Sequence, residues 1–117
     1  MILNKFIISK RQETYILRLN DILYMEKNLR KIKVYIDGEF YPEQSCIEFY
    51  GKFPDVMRHL DRRFMHCHRS YVINMDKIVV MSHNTIFMEK NLKVYMGRNT
   101  YSKAKEILGR YLAKKFG

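Results

Sequence analysis

Apolar residues fall in short runs separated by turn residues. Phe6-Ile7-Ile8 and residues 15–19 flank the polar segment 10–14, a pattern that predicts a hairpin. Asn20-Asp21 marks a turn, residues 22–25 a strand, and residues 27–33 a basic stretch. Val34-Tyr35-Ile36 runs into Asp37-Gly38, a strong short hairpin signal. Phe40-Tyr41 and residues 46–50 continue the strand pattern, and Gly51 breaks it. KFPDVMRHLDRRF then predicts a short helix. Pro54 suits its first turn, Asp55 suits its positive end, and Val56, Met57 and Leu60 form a narrow apolar stripe.

Strands resume at Phe64, and residues 78–81, 85–88 and 92–96 predict three more, with Glu89-Lys90-Asn91 as a turn. The period then lengthens. Ala104, Ile107, Leu108, Tyr111, Leu112 and Phe116 recur at helical spacing, and Lys103, Lys105, Arg110 and Lys114 fall elsewhere. This is an amphipathic C-terminal helix whose apolar stripe is expected to pack on the core. The fold class read from the pattern is mainly β, antiparallel, with a short central helix and a C-terminal helix.

The 117 residues fit one domain, 1–117. Lys plus Arg number 22 against 12 Asp plus Glu, a net charge of +10 that attracts nucleic acid, an anionic membrane or an acidic protein. Cys46 and Cys67 make no disulfide framework. The N-terminus lacks a signal-peptide pattern, and no apolar run nears the ~20 residues of a membrane span. A cytoplasmic protein is expected.

Residues 64–78, FMHCHRSYVINMDKI, combine strand-forming apolar residues with chemistry that a core strand does not need. The run from Phe64 to Asn74 resembles the F-x-R-x-H-R-S-aromatic-apolar-apolar-N signature of LytTR-type DNA-binding domains of bacterial response regulators. His66 stands in place of the signature's first arginine. Residues 21–26 resemble the family's D-I-x-Y-x-E strand. Phe49-Tyr50-Gly51 before a short helix also fits, and Gly97-Arg98-Asn99 resembles its S-R-x element with glycine for serine. The likeness spans residues 4–112. It implies about ten short strands in several small antiparallel sheets, and binding to duplex DNA through loops in successive major grooves that also touch the minor groove. It implies a transcription regulator, without enzymatic activity or cofactor. Its usual receiver domain is not in this chain.

Arg69 has the chemistry to read guanine bidentately or to clamp phosphate; the plain alternative is a surface arginine. His68 either orients that turn or touches DNA itself. Ser70 either donates to phosphate or bonds its own backbone. In a regular strand His66 and His68 share a face and Cys67 points away, which argues against a metal site. Asn74 is read as a structural turn residue.

Lys27, Asn28, Arg30, Lys31 and Lys33 lie where the resemblance puts the first DNA-reading loop, with Leu29 and Ile32 expected to anchor it. A charge run is otherwise a solvated face. Asn28 suits adenine; Ile32 cannot hydrogen-bond where the family often carries a polar base reader. Arg98 and Asn99 precede the last helix, whose free N–H groups suit phosphate; the plain alternative is a helix cap, with Asn99 or Thr100 as the capping residue. Arg58, Arg62 and Arg63 read as general basic surface.

Three rivals stand beside duplex-DNA binding: an RNA-binding module using the basic and aromatic residues, a small nuclease using His66 or His68, and membrane-surface binding by the last helix. The last conflicts with the core role of that helix, so no membrane partner is expected. On the DNA reading the partners are repeated half-sites and a receiver domain or partner protein in trans. The isolated domain is expected to be monomeric.

Overall fold

The computed structural model describes residues 4–37 and 46–117. Its centre is a five-stranded antiparallel sheet of order β5-β4-β3-β7-β6. Those strands are β3 (Ile22–Asn28), β4 (Lys31–Ile36), β5 (Cys46–Tyr50), β6 (Phe64–His68) and β7 (Tyr71–Asn74). A hairpin of β1 (Lys5–Ser9) and β2 (Thr14–Arg18) forms a second sheet. A third holds β8 (Ile78–Ser82), β9 (Thr85–Met88) and β10 (Leu92–Tyr95). Helix α1 (Phe53–Met57) follows β5, and α2 (Arg98–Phe116) ends the chain. Among the described residues these make ten strands and two α-helices, the mainly β class read from the pattern and the number of strands that the resemblance implies.

The two faces of the central sheet carry two cores. Ile32, Val34 and Ile36 alternate inward along β4, against Phe6 and Leu17 of the first hairpin and Phe53 and Val56 of α1. The other face packs Leu23, Met65 and Ile73 against Ile86, Met88 and Val94 of the third sheet and Ala104 of α2. Strand β3 sits between the cores, so residues 22–25 are all buried; a register shift lets Ile22 and Met25 serve one core and Leu23 and Tyr24 the other.

Buried Asn74 ties the sheet to the turn before β3. Its Nδ2 donates to the carbonyl oxygens of Ile22 (2.8 Å) and Leu19 (3.4 Å), and its Oδ1 accepts the Asp76 amide at 3.0 Å. The structural role read from sequence holds and reaches further than a turn.

The strand that resumes at Phe64 ends at His68, and the chain folds back at Arg69-Ser70, where His68 pairs with Tyr71. Other expectations are corrected. A second register shift lies between Met65 and His68. It breaks the alternation, so His66 meets Phe53 of one core edge-on (5.0 Å) while His68 lies against Tyr71 beside the other (5.2 Å). At the end of α2, Leu112 and Phe116 are exposed and add nothing to the core. Asp37-Gly38 as a turn and Phe40-Tyr41 as a strand involve residues outside those described, although β4 and β5 do pair antiparallel.

Candidate nucleic-acid interface

The basic stretch 27–33 is a tight hairpin rather than a loop. Lys27 and Asn28 end β3, Lys31 to Lys33 begin β4, and Leu29-Arg30 alone connect them. Ile32 is fully buried and anchors the tip, as expected. Leu29 does not: it is 88% exposed, with φ 59, at the crest. Asn28, Arg30 and Lys31 are exposed beside it. Lys33 is half-buried and stands in register between Glu26 and Glu48.

Arg69 and Ser70 crest the β6–β7 hairpin. Nδ1 of His68 accepts the Ser70 amide N–H at 2.9 Å, so a neutral His68 ring carries its hydrogen on Nε2. A side chain thus shapes the turn and leaves Arg69 exposed. Partial burial, then the neighbouring His68, lower the pKa of His66.

The two tips lie at one end of one sheet, because β3 and β7 are antiparallel neighbours. The amide of Lys27 donates to the Ser70 carbonyl oxygen at 2.8 Å. Next to it, the Glu26 carboxylate accepts the hydroxyls of Tyr35 on β4 (3.2 Å) and Tyr71 on β7 (3.3 Å). Burial, reinforced by the Glu26 charge, pushes Tyr35 up to about 12 and raises Tyr71 as well, so both keep their donor hydrogens at neutral pH. Tyr24 stacks on Tyr35 at 4.5 Å.

Helix α2 packs on β6 with its start toward the same end. Its Lys103 is close enough to Cys67 to oppose the rise that burial imposes on that thiol. At the other end of the helix Lys115 bonds Asp76, beyond β7. Arg98 and Asn99 are exposed in the first helical turn rather than ahead of it. The N-cap is Gly97, without a side-chain cap bond, and not Asn99 or Thr100. Arg58 and Arg62 are exposed, as general basic surface would be, with Arg58 3.5 Å from the likewise exposed Asp55; Arg63 is instead half-buried and paired with Asp61 at 2.9 Å.

Two residues that the sequence reading passed over lie here. Glu26 joins the hairpins. Tyr50 is 74% exposed on the edge strand β5, with Lys31 Nζ 5.5 Å from its ring centre. The alternation of buried Ile47 and half-buried Phe49 along β5 already turns Tyr50 outward. A groove of about 640 Å³ beside Tyr50 is lined by Asn28, Leu29, Arg30 and Lys31 among others.

The comparisons agree with this architecture. The family model of the LytTr DNA-binding domain matches residues 12–109. The solved LytTr DNA-binding domain of a response regulator from Bacillus cereus superposes with a TM-score of 0.72 at 18% identity, over 92% of this chain and 98% of that one. No curated protein sequence matched the chain. With five-sixths of its length inside the family model and the same fold, the chain belongs to the LytTr DNA-binding domain family.

Proposed function

We propose that this domain binds duplex DNA sequence-specifically as the DNA-contacting part of a bacterial transcription regulator. The observation that carries the reading is the meeting of two basic hairpin tips at one end of one sheet, bonded through Lys27 and Ser70. A two-stranded ribbon fits the major groove. The β3–β4 tip enters it, with Arg30, Lys31 and Lys27 on phosphates, Lys33 behind them, and Asn28 within reach of base edges. Arg69 reads a base or lies in a narrow minor groove, with His68 and Ser70 shaping its turn and adding polar contacts. Arg98 and Asn99, with the free N–H groups of the first turn of α2, meet the next stretch of backbone.

Successive grooves on one face suit repeated half-sites. The chain shows no long heptad pattern, so isolated domains bind as monomers, and a receiver domain or partner protein in the cytoplasm supplies the linkage that raises effective concentration. Salt titration of binding to duplex DNA tests the reading. With about six phosphates neutralised, log Kd against log salt has a slope of about 5 in magnitude. A slope near zero, or no binding at low salt, overturns it.

A further inference from the structure

Leu29 fits neither the folding logic nor the charge pattern of its hairpin. It is 88% exposed, above every other large apolar residue among those described. Its φ of 59 is cheap for glycine or asparagine and costly for leucine. The connection has two residues, Leu29 and Arg30, between the paired Asn28 and Lys31, so the tip cannot fold the side chain back onto the core. The leucine therefore brings the fold backbone strain and no burial. Strained, exposed residues of this kind gather at functional sites.

The surroundings say what it meets. Asn28 and Arg30 are exposed on either side, Lys31 lies over the Tyr50 ring, and the adjoining groove sets three cations, Arg30, Lys31 and Lys33, and that ring against the single carboxylate of Glu48. This is a nucleic-acid-facing surface with one branched alkyl group at its crest. In the major groove the base edges are polar except at the C5-methyl of thymine.

We propose that Leu29 reads thymine, its isobutyl group packing on a C5-methyl in the major groove between the polar contacts of Asn28 and Arg30. The inference rests on the DNA-facing reading of this hairpin and adds a base preference to it. An apolar contact of one methyl size changes affinity about three- to fivefold.

The test compares two alternating duplexes, poly(dA-dT) and poly(dA-dU), which differ only in that methyl, with the intact chain at one salt concentration. The wild type binds the thymine duplex about three- to fivefold tighter. Leu29→Ala and Leu29→Asn bring the ratio to about one, and Leu29→Met, which keeps an apolar reach, preserves it. A wild-type ratio of one, or a ratio that persists in Leu29→Ala, overturns the proposal while leaving DNA binding standing. Failure of the wild type to bind either duplex at low salt overturns the interface itself, and this contact with it.

Discussion

The main-chain N–H of Lys27 donates to the carbonyl oxygen of Ser70 at 2.8 Å, so the strand rising to one hairpin tip is bonded to the crest of the other. The tie is backbone to backbone. Glu26, one residue back, repeats it in side chains by holding Tyr35 and Tyr71. Two tips fixed in this way meet a duplex as one rigid pair, with less ordering entropy to lose than two free loops.

Arg69 extends from this pair without core contacts of its own, and the separation of charge from geometry can be tested there. Arg69→Lys keeps the charge and loses the planar fork. It retains most binding to random DNA and loses about 10- to 100-fold on a cognate site. Arg69→Ala loses both. Thermal melts of all three coincide, because the side chain is exposed. Wild-type cognate affinity in Arg69→Lys would make this residue a phosphate clamp only.

Asn74 carries the opposite burden, stability without contact. Truncation to alanine removes the Asn74 partner of the Ile22 carbonyl oxygen and of the Asp76 amide at once, and leaves the Leu19 carbonyl oxygen with the Ile22 N–H alone. Asn74→Ala costs about 2–4 kcal/mol in urea melts. A loss below about 0.5 kcal/mol would show that water replaces the amide.

The C-terminal end of α2 is clasped by Asp76, which accepts Tyr111 Oη and Lys115 Nζ, each at 2.7 Å. Burial alone raises the Asp76 pKa. The bonds from Lys115 and Tyr111, with the charges of Lys115 and Arg63, outweigh it and hold the group below its ordinary 3.8. A folded value below the unfolded one means that the stabilisation is present above pH 3.8 and is lost as pH falls through the lower, folded value. Wild type therefore melts above Asp76→Asn at pH 6, and the gap closes as the buffer is taken below pH 3.8. A gap independent of pH would remove the carboxylate from the account.

Much of this was legible along the chain, and what escaped has physical causes. The two-residue period of β1, β2 and β4 and the longer period of α2 announce themselves because one face of each is buried. The polar run at His68-Arg69-Ser70 marks a turn, but the tight hairpin made there does not announce itself. Neither Arg69 nor Ser70 is a turn former of the Gly or Asn-Gly kind, and the turn is shaped by the His68 ring bonding the Ser70 amide, a contact that no propensity encodes. Leu29 reads as an anchor by hydropathy, but the Asn28–Lys31 pairing puts it at the crest. Leu112 and Phe116 keep helical spacing with the stripe of α2 and still run past the core that would cover them. Glu26 looked like one strand acid among several; its role needs Tyr71, which is 45 residues away in sequence.

The central claim is that DNA binding resides at the tips and not in the overall charge of +10. The direct test removes two cations from the tip, Arg30→Ala with Lys31→Ala, and two from the far end, Lys90→Ala with Lys114→Ala. Lys90 lies there beside Asp37, and Lys114 is in the last turn of α2. Binding of each to random duplex DNA is followed across salt. The tip pair weakens binding and flattens the log–log slope by about two units, while the far pair leaves the slope as in the wild type. Equal losses in both pairs would mean that the whole positive field, and not this end of the sheet, holds the DNA.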